Sequence, residues 1–270
     1  MKIPNLGSRK NRILLKELVK TDFKLRYQGS LLGYLWAVLR PMMLFAILYV
    51  VFAKILKMGS DIPHYPVYLL AGTVLWSFFS ECTNQGIQAI VARGDLLRKI
   101  SFPKWIIVVS ATVTALINFL INLGVVIIFA IINGVTPNLG WLLVPFIILE
   151  LYLLSLGISF FLGAINVKYR DISSIWEVFM QALFYAVPVI YPITMVASAS
   201  PLAAKIFLLN PIAQVIQDVR YFLITDQTIT TWNYLENRLL YLIPLGLVSL
   251  VIILGGIYFR KRSKYFAEEA

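Results

Sequence analysis

Gln28-Gly29-Ser30-Leu31-Leu32-Gly33-Tyr34-Leu35-Trp36-Ala37-Val38-Leu39-Arg40-Pro41 joins a basic leader to the first long apolar run of the chain. The stretch is apolar enough to enter a bilayer, yet it carries glycines, an arginine and a proline that a plain membrane anchor does not need. The surrounding chain decides the class. Hydrophobic residues make up 60% of the 270 positions and charged residues only 14%, whereas soluble domains are about a quarter charged. Several windows of about 20 apolar residues match the ~30 Å hydrocarbon thickness of a bilayer. The sequence therefore predicts an all-α polytopic membrane protein.

N-terminal to this stretch, Leu14, Leu15, Leu18, Val19 and Phe23 form one helical stripe, with Arg12, Lys16, Lys20 and Lys24 opposite. A basic helix of this kind lies in the membrane interface rather than crossing it, although packing on a partner remains open. C-terminal to it, Pro41–Ala53 is too short to span alone. Lys54 and Lys57 can extend it by snorkelling, and residues 29–40 then read as a separate short helix that ends at Arg40-Pro41.

Five further spans follow, at about Val67–Ile90, Trp105–Asn133, Trp141–Val167, Ile172–Ala197 and Leu239–Phe259. Of 24 lysines and arginines, only Lys54, Lys57, Lys205, Arg220 and Arg238 fall on the side opposite the leader. Six spans with that asymmetry put both termini in the cytoplasm. The net charge of +11 thus reads as a topology signal rather than a nucleic-acid surface. Residues 198–237 resist a seventh span: Pro211–Thr225 is amphipathic, holds Asp218 and Arg220, and is preceded by a break at Asn210-Pro211. A pair of short outer-face helices, interfacial or re-entrant, is expected there. The first apolar run lacks a small-residue cleavage site, so no cleaved signal peptide is expected.

Polar residues inside apolar runs are costly and face inward. Glu81, Asn84, Gln85 and Gln88 form one stripe of the second span, and Ser174, Glu177, Gln181 and Tyr185 one of the fifth. Interhelical hydrogen bonding is the plain account of such stripes, with a wall facing a substrate or a proton relay as the alternatives. Asn118 and Asn122 lie one turn apart in the third span, and Ser155, Ser159 and Gly163 allow close helix packing in the fourth. Between the second and third spans, residues 92–103 show Leu96, Leu97, Ile100 and Phe102 beside Arg98 and Lys99. A short helix starting at Gly94-Asp95 and ending by Pro103 looks built for a partner, with a simple positive flank as the alternative. Enzymatic chemistry finds little support. His64 and Cys82 are each alone of their kind, which leaves no His cluster for a metal and no internal disulfide. No phosphate-binding loop of the Gly-x-x-x-x-Gly-Lys-Ser/Thr type occurs.

The chain resembles the membrane subunit of ABC-2-type exporters of lipid-linked polysaccharide, the O-antigen and wall teichoic acid permeases. The matching residues are Leu25–Trp36, Arg40-Pro41, Phe52, Leu70-Ala71-Gly72, Trp76–Phe79 and Ile100-Ser101-Phe102-Pro103. Asn166–Ile172, Pro188-Val189-Ile190-Tyr191-Pro192 and Leu209-Asn210-Pro211 follow in family order. The resemblance implies a homodimer of six-span subunits with two copies of a separate ATPase, which uses ATP and Mg while this chain binds no cofactor. It makes residues 1–28 an interface helix, 29–40 a gate helix, 92–103 a coupling helix within the transmembrane domain 41–259, and 260–270 a cytoplasmic tail. The substrate would be a glycan or polyol-phosphate polymer on undecaprenyl diphosphate. Lys24, Arg26, Gly29, Gly33, Tyr34, Trp36 and Arg40 would then form the gate for the lipid diphosphate, and Asp95, Leu96, Leu97, Arg98, Lys99 and Phe102 the seat on the ATPase. Glu81, Gln85, Glu177, Gln181, Tyr185 and Tyr191 are candidates to line the path. An exporter of a drug or small lipid, and a proton-coupled carrier using Glu81, Glu150 and Glu177, stay open on the residues alone.

Overall fold

The computed structural model describes residues 9–29, 32–59, 62–235 and 238–269. Residues 1–8 of the expected leader, Ser30 and Leu31, residues 60–61 and 236–237, and Ala270 lie outside them. The described residues form helices and no strand. In order these are α1 (Arg9–Tyr27), α2 (Trp36–Leu48), α3 (Tyr65–Gln88), α4 (Gly94–Lys99), α5 (Trp105–Ile132), α6 (Val144–Asn166) and α7 (Ile172–Ala186). Then come α8 (Ile193–Ala199), α9 (Pro201–Leu208), α10 (Pro211–Leu223), α11 (Thr231–Tyr234), α12 (Leu242–Arg262) and α13 (Phe266–Glu269).

Four helical runs are long and apolar enough to cross a membrane: Gly33–Ile55, Trp105–Ile132, Leu139–Asn166 and Leu239–Arg262. They fall on the first, third, fourth and last expected spans. Helix α3 has 24 residues, long enough at 1.5 Å per residue, but its polar stripe makes it less apolar. It is the hub of the fold: Val67–Leu75 is almost wholly buried, and α3 packs on α5, α6, α7 and α10. Ser155 and Ser159 of α6 are fully buried, and Ser159 and Gly163 abut Gly86 of α3, so the small-residue row serves close packing.

The expected helix boundary at Arg40-Pro41 is absent. Helix α2 runs through it, preceded by a 3-10 turn at Gly33–Leu35 and continued by π-helical turns at Tyr49–Ile55. Pro41 has no N–H, which strands the Ala37 carbonyl one turn back. Asn122 Nδ2 of α5 donates to that carbonyl at 3.0 Å, and the helix continues. The chain changes direction earlier, at Gly29 and Gly33, whose φ values of 80° and 48° favour glycine.

The fifth expected span, Ile172–Ala197, is broken. Helix α7 ends after 15 residues, about 22 Å at the α-helical rise, because Pro188 and Pro192 cannot continue it. The freed carbonyls are met by side chains from other helices. Tyr65 Oη donates to Ile190 O at 2.9 Å. Arg220 of α10 donates from Nη1 to Pro188 O at 2.7 Å and from Nη2 to Val189 O at 2.5 Å. Its Nε donates to Tyr68 O of α3 at 3.1 Å, and its guanidinium stacks 3.6 Å from the centroid of the Tyr68 ring. Gly72 gives this side chain its room, since a methyl there would overlap the guanidinium.

Asn210 caps α10 by accepting from Ile212 N at 3.0 Å, and the α9–α10 pair bends by 93° at the expected break. Helix α10 is not a surface amphipath, however. Gln214, Gln217, Asp218 and Arg220 are as buried as Ile216, because the polar face turns onto α3, α6 and the α7–α8 break. Arg220 is therefore a structural residue of the interior and not a topology charge.

Replacing Arg220 by Met would strand these carbonyls at about 1–3 kcal/mol each. R220M should lower the thermal stability of the detergent-solubilised protein by more than about 3 kcal/mol on that basis, and R220K, which cannot fork, should recover only part of it. Equal unfolding temperatures for R220M and the wild type would contradict this account.

Candidate functional site

A groove of about 780 Å³ opens between the C-terminal end of α1, the start of α2, and the facing sides of α3 and α5. The stripe on α3 supplies its polar wall, because Trp76, Phe78 and Phe79 commit neighbouring faces of the helix to packing. Glu81 is the centre of that wall. It pairs with Arg26 of α1 and accepts from Gln85 Nε2 at 3.1 Å and Asn118 Nδ2 at 2.8 Å. One carboxylate thus ties the leader, α3 and α5 together. Asn84 and Gln85 continue the wall, and Trp36, Arg40 and Phe119 complete the rim and the apolar side. Arg40 is exposed and has no ion-pair partner among the described residues. The groove therefore combines an uncompensated guanidinium, amide donors and aromatic faces, a set suited to an anionic head beside a sugar or an apolar chain.

Of the residues expected at a gate, Arg26, Trp36 and Arg40 line this groove together with the expected path residues Glu81 and Gln85. Lys24 is exposed on α1 outside it. Gly29 and Gly33 shape the turn, and Tyr34 stacks on Phe23 with ring centroids 5.3 Å apart. The remaining expected path residues lie elsewhere. Helix α7 turns Trp176, Met180 and Phe184 onto the core, and Trp176 Nε1 donates to Thr83 Oγ1 at 3.1 Å. Glu177, Gln181 and Tyr185 consequently face outward. Tyr191 is half-buried and donates to Tyr185 O at 3.0 Å.

A second region sits at the same end of the bundle. Asp22 of α1 pairs with Arg93, which also donates to Ser110 Oγ of α5 at 2.9 Å, so the turn before α4 is anchored to two helices. Asp95, Arg98, Lys99 and Ile100 are exposed. Leu97 is not: it is 7% exposed, in a cluster with Ile90, Ile107, Phe259 and Phe266, and Phe102 packs at its edge. Leu96 is half-buried. The expectation that Leu97 faces a partner is thus corrected, since a six-residue helix buries one side on its own chain and has only the other to offer.

The Asp22 contact to Arg93 spans 71 residues, and Phe259 and Phe266, which share the cluster of Leu97, lie at the other end of the chain, so neither was legible locally. Asn122 was expected to face inward, but only Pro41, one turn beyond Ala37, hints at which carbonyl it serves. Among the described residues no three His, Cys, Asp or Glu side chains come together to hold a metal ion.

The profile of the ABC-2 type transporter family matches residues 13–224, from within α1 to just past α10. The O-antigen export system permease protein RfbA of Myxococcus xanthus is 32% identical over 200 residues, covering 74% of this chain and 76% of the relative. A protein of the same name from Klebsiella pneumoniae is 28% identical over 256 residues, 94% of either chain. The polysialic acid transport protein KpsM of Escherichia coli is 24% identical over 196 residues, covering 69% and 73%. The matched span contains the groove, α4 and the Arg220 site, and the chain belongs to the ABC-2 type transporter family.

Proposed function

We propose that this chain is the membrane subunit of an ATP-driven exporter that carries a lipid-linked polysaccharide outward across the cell membrane. The observation that carries the reading is the groove at the junction of α1, α2 and α3, with the exposed Arg40 guanidinium at its rim in a chain related to O-antigen and polysialic acid transport proteins. A diphosphate on an undecaprenyl tail matches that chemistry. The guanidinium would take the phosphates in a fork, the aromatic side would face the first sugar, and the lipid would stay in the bilayer beside α2. O-antigen-type glycans fit the names of the relatives, and wall teichoic acid would present the same diphosphate.

In this reading α2, α3, α5, α6, the broken α7–α8 pair and α12 are the six spans, with both termini cytoplasmic by the placement of Lys and Arg. The exposed polar face of α7, with Glu177 and Gln181, would be too costly against lipid. It is accounted for if a second copy encloses it, so that a homodimer forms the path. ATP and Mg would be used by a separate ATPase, present in two copies and seated on the exposed side of α4.

Arg40→Ala should cut polymer export by about tenfold or more, the loss of one charge-assisted contact. Lipid-linked polymer should accumulate inside the cell while the permease still assembles with its ATPase. Wild-type export by R40A would remove the diphosphate role. For the docking side, Ile100→Asp should abolish co-purification with the ATPase, whereas Leu97→Asp should instead lower the stability of the permease itself. Retained co-purification and full ATPase coupling in I100D would argue against α4 as the seat.

A further inference from the structure

Beyond Arg262 the chain does not trail away. Helix α12 ends where Ser263 N donates to Phe259 O at 2.8 Å, and α13 folds back beneath α4. Phe266 is 0% exposed. Its ring lies 5.2 Å from that of Phe259 in an edge-on arrangement, and it shares a cluster with Leu97, Ile90 and Ile107. Lys104, at the start of α5, donates to Ser263 O at 2.6 Å and sits 5.8 Å from the Phe266 ring. Burial lowers the pKa of that ammonium, with Glu268 opposing the shift. Arg262 closes the fold-back by donating from Nη2 to both oxygens of Glu269 at 3.0 and 2.8 Å.

A helix of six residues cannot hold its own shape in water, because nucleation costs more than so few hydrogen bonds return. The position of α4 is therefore set by what its buried side rests on, and Phe266 fills that place under Leu97. The exposed side, with Asp95, Arg98, Lys99 and Ile100, is presented at whatever angle this packing allows.

We infer that the tail from Ser263 to Glu269 is a clamp that sets the attitude of α4 toward the ATPase, with Phe266 as the positioning residue. The inference rests on the proposed docking role of α4 and adds to it a part of the chain beyond the segment that the family profile matches. A tail serving only to finish α12 would need neither a fully buried aromatic under Leu97 nor a lysine from α5 on its main chain.

The test uses the full-length permease reconstituted with its ATPase in vesicles, titrating the ATPase to half-maximal ATP hydrolysis. F266A should raise the half-maximal concentration about tenfold, with the maximal rate retained at saturation. F266L, which refills the space, should restore it. K104M, which removes the bond to Ser263 but keeps an unbranched apolar stem, should shift it in the same direction by a smaller factor. An unchanged half-maximal concentration in F266A while I100D abolishes coupling would overturn the clamp alone, and unchanged values in both would overturn the docking role of α4 as well. Loss of folded F266A together with wild-type behaviour of K104M would also overturn it, since Phe266 would then be a general core residue.

Discussion

The arginine at position 220 is held by main-chain oxygens, and the packing of α3, α10 and the α7–α8 break depends on that. In hydrocarbon each broken helix leaves carbonyls that no water can meet, and this chain breaks a helix at Pro188–Pro192. The Arg220 guanidinium answers Pro188, Val189 and Tyr68 together, and Tyr65 answers Ile190. Burying a cation is ordinarily prohibitive. Here every nitrogen of the guanidinium donates to an oxygen, and the Tyr68 ring covers one face, so the charge is spread over partial negative charges already in place. The same interaction joins α3, α10 and the α7–α8 break.

The leader end follows the same logic on a smaller scale. Pro41 strands the Ala37 carbonyl and Asn122 recovers it, which keeps α2 helical and fixes it to α5 at the lip of the groove. Glu81 then ties α1 to α3 and α5 through Arg26 and Asn118. A groove built from such contacts is polar on one wall and aromatic on the other because the side chains that hold the helices together are also those that line it. The stripe on α3 therefore does not choose between interhelical bonding and facing a ligand. Glu81 bonds to Arg26 and Asn118 on two other helices, Gln85 braces it from the next turn of α3, and both line the cavity.

Much of this was present in the sequence. Apolar run length located the long helices, since about 20 residues at the helical rise match the bilayer. The break at Asn210-Pro211 followed from backbone sterics, and the small residues of α6 declared close packing. Arg26, Trp36, Arg40, Glu81 and Gln85 were all read as functional candidates and share one groove. Other readings failed for definite reasons. Residues 29–40 looked separate because Pro41 suits the first position of a new helix, and the Asn122 contact that lets α2 run through it spans 85 residues. Leu97 looked partner-facing because a loop leucine is conspicuous in a sequence, and its cover comes from Phe266 at the far end of the chain.

What the sequence determined by itself is the set of local and one-dimensional properties: a membrane class, helix lengths, charge asymmetry and the residues that cannot continue a helix. Composition and hydrogen-bond stereochemistry act within a few residues, so these could be read without a fold. Which face of each helix is inside was decided only in three dimensions. Polar residues in hydrocarbon can turn toward an orphan carbonyl, a neighbouring carboxylate or a cavity, and the choice depends on which helix lies opposite. Arg220 turned to carbonyls, Glu81 to Arg26 and the groove, and Glu177 outward, although all stood in the sequence as single charges in or beside apolar runs.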